Sequence, residues 1–225
     1  MKSSLGMSPS RRSQSRSTYG SESASSALNK QGGTFYALSH LVPLTRRNLD
    51  TEVPDGQSIE PTSRQTRSQW VDKLDRLQVT GATRENRTVL YTSYAHTLVY
   101  PYEVHEPTSS GPAYYSGYLD KVVMGESYSG YSLWDTFRAQ TAWLLLVAPE
   151  RVAGMITSML QDYEQGGWLP MWKNIVETNI MVGTHADSVI AQAMSAGVKG
   201  VDWSKAWEAV RKNSFTPPDR DTELR

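Results

Sequence analysis

Cysteine is absent from the 225-residue sequence, which excludes disulfide bonds and metal sites built on thiolates. An excess of charge of one sign is also absent, because 23 basic residues balance 23 acidic ones. We therefore expect no binding to nucleic acid or to anionic membrane surfaces, which attract strongly basic proteins.

Long apolar runs are missing as well. The longest, Ala142–Ala148, is about a third of the roughly 20 residues that a membrane-spanning helix needs, so no transmembrane helix is predicted. The first residues are basic but no apolar segment follows them, so they do not form a secretory signal. As written, the sequence predicts a cytosolic chain.

The first 33 residues are rich in serine and hold almost no side chains that a core could bury. This composition is typical of disorder. We predict a disordered tail over residues 1–33 and one folded unit over residues 34–225, because the chain is long enough for a single domain with a substantial core.

Helical spacing dominates the remainder. Trp70, Leu74 and Leu77 follow an i, i+4, i+7 pattern with charged residues between them. Further helices are predicted over residues 84–99, 119–124, 133–147, 149–165, 186–196 and 203–212. Strand patterns are nearly absent, and residues 100–130 are rich in Pro, Gly and Tyr, which indicates long irregular loops.

The predicted fold class is therefore all-α. Helices joined by alternating short and long loops favour stacked antiparallel hairpins that bury their apolar stripes against each other. The long loops carry Tyr, Trp and carboxylates, and loops of this kind are frequent sites of function.

The segment SGYSLWDTFRAQ has two interpretations. Ser132 and Asp135 have the spacing of a capping box, and Asp135 could also pair with Arg138 at i+3. Alternatively, Trp134, Asp135 and Arg138 present a stacking face with an acceptor and a donor. Sugars need this combination, since one pyranose face is largely C–H while its rim is hydroxyl.

The segment GGWLPMWKNIVETNIMVGTHADSVIAQA is similarly open. Glu177 lies between apolar runs and outside any predicted helix, which favours a functional carboxylate. His185 is interpreted either as a group that hydrogen-bonds substrate or as a packing residue. Thr184 and Asp187 form a second candidate capping box.

Two other kinds of site are not indicated. The glycines do not have the spacing of a nucleotide-binding loop. His96 and His105 are too far apart for a helical zinc pair.

Four segments in fixed order, YYSGYLDKVV, YSLWDTFRAQ, GGWLPMW and ETNIMVGTHADSVIAQA, resemble glycoside hydrolase family 92. The stretches Arg46–Glu52 and His96–Pro101 are also similar to that family. The resemblance covers about residues 46–225, and the order of its segments makes it more specific than any single motif.

The resemblance implies a calcium-dependent exo-α-mannosidase that trims N-glycan mannose with inversion. It also implies a β-sandwich followed by an (α/α)6 toroid, of which this chain would hold an incomplete part. The substrate would be a mannose-containing glycan or glycoprotein. Residues carried over as substrate-binding are Trp134, Asp135, Arg138, Glu177 and His185.

The sequence departs from the family where proton transfer takes place. The resemblance implies a general acid in a Glu-Gly-Asn…Trp-Gln segment and a base in a Gly-Asn-Asp segment, and neither string occurs here. No catalytic residue and no calcium ligand is therefore assigned, and the chain is predicted to be inactive. An incomplete toroid would expose apolar helix edges and self-associate.

Two alternatives stay open. One is a non-catalytic helical module that binds carbohydrate or a protein partner. The other is a six-hairpin glycosidase of another family, with its acid and base among Asp120, Glu126, Asp135, Glu177 and Asp187.

Overall fold

The computed structural model describes residue 53 and residues 58–217. The predicted disordered tail and the Arg46–Glu52 stretch lie outside the described residues. Within the described part, helices account for about half of the residues and are numbered here in chain order: α1 (Glu60–Leu74), α2 (Arg84–Thr97), α3 (Leu133–Thr136), α4 (Gln140–Val147), α5 (Pro149–Gly166), α6 (Ala186–Ser195) and α7 (Trp203–Phe215).

Helix α5 lies at the centre of the core. Its buried residues Val152, Ile156, Met159 and Leu160 follow the i, i+4, i+7, i+8 spacing of one helix face. This face packs in the same cluster as α4, α6 and α7. Helices α4 and α5 are joined by Ala148 alone and contact each other, as the predicted short connection requires.

Small side chains let α6 and α7 approach each other closely. Ala193, Ala206 and Ala209 are buried in the common core, where a larger side chain would push the helices apart. Helix α7 begins at Asp202, whose Oδ1 accepts from the Lys205 N–H (3.0 Å).

Two tyrosines of α2 hydrogen-bond to the end of α1 and the turn that follows it, and one of them, Tyr94, belongs to the core. Tyr91 donates to the Leu77 carbonyl (2.7 Å) and the buried Tyr94 donates to the Lys73 carbonyl (2.9 Å). Leu74 and Leu77 pack against the core as predicted. Trp70, which the same pattern assigns to that face, remains partly exposed.

The prediction of an all-α chain is wrong over residues 102–129. Strands β1 (Tyr102–Glu103) and β5 (Tyr128–Ser129) pair antiparallel, and β2 (His105–Thr108), β3 (Gly111–Ser116) and β4 (Lys121–Met124) form a second antiparallel sheet. In its register Tyr114 lies opposite Val123 and Tyr115 opposite Val122. Aromatic and β-branched neighbours of this kind stabilise strands, so the predicted short helix over 119–124 does not form.

The predicted helix over residues 133–147 is interrupted. Residues 137–139 separate α3 from α4, and the Phe137 carbonyl accepts from the side-chain amide of Gln192 on α6 (3.4 Å). This contact takes an oxygen that an uninterrupted helix would use internally.

Among the described residues, no helix is both long and apolar enough to cross a membrane.

Candidate substrate-binding cleft

An open cleft of about 510 Å³ lies where the end of α2 approaches the segment leading into α4. Its lining is polar and aromatic and comes from three separate segments: His96, Thr97, Tyr100, Gly130, Ser132, Thr136, Gln140 and Trp172. These segments are HTLVYP, SGYSLWDTFRAQ and GGWLPMW. Folding therefore gathers three of the sequence motifs around one concave surface.

Hydrogen bonds fix the cleft between α2 and α4. The Gln140 amide donates to the carbonyls of Thr97 (2.9 Å) and Tyr100 (2.6 Å). The Trp143 indole donates to the Thr97 hydroxyl (2.9 Å). The amide nitrogen of Gln140 is thus occupied by the protein, and Gln140 also lines the cleft.

Glu177 organises the loop that carries Trp172. One carboxylate oxygen accepts from the N–H groups of Met171 (2.6 Å) and Trp172 (3.1 Å). The other accepts from the N–H groups of Thr178 (2.9 Å) and Asn179 (2.8 Å). A single carboxylate therefore satisfies four backbone donors and closes residues 171–179 into a compact loop.

A buried ion pair links the same loop to α5. Lys173 Nζ lies 2.8 Å from Asp162 Oδ1 on α5, and both side chains are 3–4% exposed. The ammonium also donates to the hydroxyls of Ser127 (3.3 Å) and Ser158 (3.4 Å). Burial raises the pKa of Asp162 to about 7, although the Lys173 ammonium opposes the shift.

Three of the predicted site residues meet in one stack. The Arg138 guanidinium lies 5.1 Å from the Trp134 ring centroid and 4.8 Å from that of Phe137. The Phe137 and His185 rings are parallel, with centroids 4.1 Å apart. We call Trp134, Phe137, Arg138 and His185 the arginine stack. Trp134 is 42% exposed, so the stack reaches the surface.

Asp135 is linked to the cleft through Ser132, and its predicted roles in local structure are wrong. The Ser132 hydroxyl donates to the Asp135 carboxylate instead of capping α3. The N–H groups of Asp135 (3.1 Å) and Thr136 (3.0 Å) donate to the Ser132 carbonyl. Because the carbonyl satisfies these first-turn donors, the Ser132 hydroxyl is not needed as a cap. Arg138 pairs with rings rather than with Asp135.

The second predicted capping box is wrong as well. The Asp187 N–H donates to the Thr184 carbonyl (3.1 Å), and Asp187 Oδ1 accepts from Asn213 on α7 (3.1 Å). Asp187 therefore connects α6 with α7. None of the carboxylates considered as an alternative acid or base lines the cleft within the described residues: Asp120, Glu126, Asp135, Glu177 and Asp187.

Sequence reasoning missed several lining residues, above all Trp172, His96 and Gln140. His96 and Trp172 lie inside strings that carry the family resemblance, so the signal was present. Lys173, a cation within an apolar run, was a weaker signal for the buried pair. What the sequence did not show was which motifs face one another.

Solved mannosidases resemble this fold. An inverting mannosidase of family GH92 from Bacteroides thetaiotaomicron VPI-5482 matches with a TM-score of 0.75 and 31% identity, over 81% of this chain and 24% of that one. A GH92 α-mannosidase from Bacteroides thetaiotaomicron matches with a TM-score of 0.68 and 30% identity, over 75% and 23% of the two chains. Its complex with mannoimidazole gives the same score and identity, over 75% and 22%. No curated protein gave a significant match.

These similarities place the fold of this chain among the glycosyl hydrolases. The chain belongs to glycosyl hydrolase family 92, whose catalytic-domain model matches residues 45–225. It spans about a quarter of the length of the solved mannosidases.

Proposed function

We propose that this chain forms part of the substrate pocket of an α-mannosidase-type glycosidase that hydrolyses N-glycan mannose with inversion. The observation that carries the proposal is the cleft, which Trp172, Ser132 and Thr136 line together. Family membership and the two mannosidase neighbours support mannose as the sugar.

The cleft suits one pyranose ring. The Trp172 indole offers an apolar face for sugar C–H groups. The same cleft is lined by Ser132, Thr136, Gln140 and His96, whose side chains can hydrogen-bond to a ligand. A hydroxyl-rich ligand can therefore hydrogen-bond at its rim while stacking on one side.

The predicted substrate-binding residues divide into two groups. The first group extends the binding surface beside the cleft and consists of Trp134, Asp135, Arg138 and His185. The hydrogen bond between Ser132 and Asp135 links this group to the cleft. Glu177 acts through the loop: its four backbone hydrogen bonds position Trp172. We expect Glu177 to be a positioning residue.

Inverting hydrolysis needs a carboxylic acid that protonates the leaving oxygen and a carboxylate that activates water, about 6.5–9.5 Å apart. The segments that the resemblance implies for these roles are not in this sequence. The chain therefore contributes binding and positioning, and by itself it is inactive.

Calcium is the cofactor that the resemblance implies. In the part of the chain that the structure describes, no three His, Asp or Glu side chains gather to hold a metal ion. Asp135 and Glu177, the carboxylates beside the cleft, are engaged by Ser132 and by backbone N–H groups. These residues alone do not fit a calcium site, so any calcium requirement arises from ligands elsewhere.

The fold proposed for the whole catalytic unit is an (α/α)6 toroid that follows a β-sandwich. The α4–α5 hairpin and the packing of α6 and α7 on α5 support this arrangement. The incomplete toroid would carry the cleft at one end of its hairpins.

The proposal is tested by binding and turnover. Mannoimidazole, which one mannosidase neighbour binds, should bind the chain, and Trp172→Ala should weaken binding by about tenfold or more. Trp207→Ala, an exposed tryptophan on α7 that does not line the cleft, is the matched control. Equal binding by wild type and Trp172→Ala would refute the assignment of the cleft.

Turnover by the chain alone tests the predicted inactivity; the alternative is a non-catalytic module for carbohydrate or protein binding. We expect no mannose release from α-1,2-mannobiose in the presence of calcium. Release that a chelator abolishes would contradict the predicted inactivity and show that the chain is a complete enzyme. Binding without turnover agrees with both a pocket fragment and a carbohydrate-binding module, and restoring turnover by adding the missing family segments identifies the fragment.

A further inference from the structure

A groove of about 610 Å³ lies between α1, the segment that follows α2, and α5. Three partly exposed aromatic residues line it: Trp70 is 39% exposed, Tyr100 50% and Tyr102 39%. We call it the aromatic groove. Its volume is similar to the 510 Å³ of the cleft, which suits one pyranose ring, so the groove has room for at least one further sugar unit.

The aromatic groove adjoins the substrate cleft at Tyr100, which lines both spaces. Gly130 shows how close the two are. It lines the cleft, and a Cβ atom at this position would lie only 2.6 Å from Tyr100 Cδ1 and 2.7 Å from Tyr102 Cε1. The Tyr100 and Tyr102 rings therefore pack directly against backbone of the cleft wall, with their own centroids 5.6 Å apart.

The residues of the aromatic groove have the chemistry that sugars need. Their rings offer apolar faces for pyranose C–H groups. Within the described residues, the side chains of Gln69, Trp70 and Tyr100 make no hydrogen bond to another protein group. The Gln69 amide, the Trp70 indole N–H and the Tyr100 hydroxyl are thus available to the hydroxyls of a ligand.

The charged side chains of the groove favour a neutral ligand. Arg151 forms an ion pair with Glu103, and Lys73 forms one with Glu150. Both cations that line the groove in the described part of the chain therefore have a carboxylate partner, with which an anionic ligand would have to compete. A neutral glycan does not face this competition.

We propose that the aromatic groove binds the sugar units that follow the terminal mannose, so that the chain recognises an oligosaccharide rather than a single mannose. This inference rests on the proposed function, because it takes the cleft as the site of the terminal mannose. Trp70, whose spacing predicts a core position, is then a residue that determines specificity for glycan length.

The test compares D-mannose with α-1,2-linked mannotriose in ligand-observed NMR titrations. Mannotriose should bind the wild-type chain about fivefold or more tightly than mannose, and Trp70→Ala should remove this gain while mannoimidazole binding stays unchanged. Trp70→Phe keeps a ring and should keep most of the gain. Trp207→Ala, at an exposed tryptophan that does not line the groove, is the matched control and should keep all of it. Alanine is favoured at the exposed helical position 70, so the chain should still fold.

Equal binding of mannose and mannotriose by the wild type would overturn the proposal, and so would a gain that survives Trp70→Ala. A gain that depends on Trp70 but appears only when the glycan is attached to a peptide would assign the groove to polypeptide and overturn it as well. Failure of the proposed function has a different signature, which is mannoimidazole binding that Trp172→Ala does not weaken. A preference for mannotriose that depends on Trp70 supports the groove in either case.

Discussion

At the scale of single residues, Glu177 is the side chain whose replacement should have the most direct effect on structure. Replacing it by Gln keeps one acceptor oxygen but turns the other into a donor that faces backbone N–H groups. We expect Glu177→Gln to lower the free energy of unfolding by about 1–3 kcal/mol, the usual cost of unsatisfied buried donors.

Chemical denaturation measures this change, and Glu85→Gln, at an exposed position in the first turn of α2, is the control. The same substitution should also weaken mannoimidazole binding, because the loop no longer holds Trp172 in place. Unchanged stability would mean that the loop does not depend on this carboxylate.

Asp162 gives the chain a specific pH dependence. Its pKa is raised to about 7 in the folded protein, against about 3.9 when unfolded. Between these values the folded state binds a proton that the unfolded state has lost, so this contribution to stability is full below about pH 4 and is lost as the pH rises through 7.

Thermal unfolding from pH 4 to pH 8 tests this sign. As the pH rises, the melting temperature of the wild type should fall relative to that of Asp162→Asn, because Asn cannot ionise. A difference that is constant across this range would show that the Lys173 ammonium keeps Asp162 ionised throughout.

At the scale of helices and strands, close packing of α6 and α7 on α5 depends on small residues. Ala209 is fully buried, so Ala209→Leu should force the helices apart and cost about 1–3 kcal/mol of stability. Ala142→Leu, at an exposed position in α4, should have little effect. Denaturation curves of the two variants give the comparison, and equal stability would contradict the close packing.

The helices could be predicted from sequence because their signals are local. Apolar spacing located α5, and Asp202 and Thr83 begin α7 and α2 with side-chain caps. The strands between residues 102 and 129 were missed because Gly111 and Pro112 were interpreted as loop signals, although they lie at the end of a hairpin where such residues are tolerated.

The candidate site was harder to predict for a related reason. Trp134 and Arg138 were predicted together as part of one stacking face and His185 was predicted separately, and the structure joins the three through Phe137, which carried no functional signal in the sequence. Trp172 and His96 lie far apart in the chain. Their meeting in the cleft depends on tertiary packing, which no local pattern encodes.

At the scale of the whole molecule, large apolar side chains remain on the surface. Leu146 is 77% exposed, Trp207 66% and Phe215 80%. We expect the purified chain to bind ANS and to self-associate, because exposed apolar side chains of this size favour association.

Size-exclusion chromatography and ANS fluorescence measure this behaviour together. The double variant Leu146→Glu and Trp207→Glu should reduce both ANS binding and apparent size, while the Glu85→Gln chain, changed at an exposed polar position, should behave as wild type. A compact wild-type monomer that leaves ANS dark would refute the expectation.

Because residues 137–139 separate α3 from α4, the direction of the Trp134 side chain is not fixed by the direction of the Leu144 side chain. Each helical residue adds about 100° of rotation, so in an unbroken helix Trp134 and the buried Leu144 would keep a fixed angle. With the break, α3 and α4 each bury their own leucine, Leu133 and Leu144, and the exposed direction of Trp134 is set by the short turn alone. A substitution that changes this turn would therefore alter the surface around Trp134 without changing the register of α4 in the core.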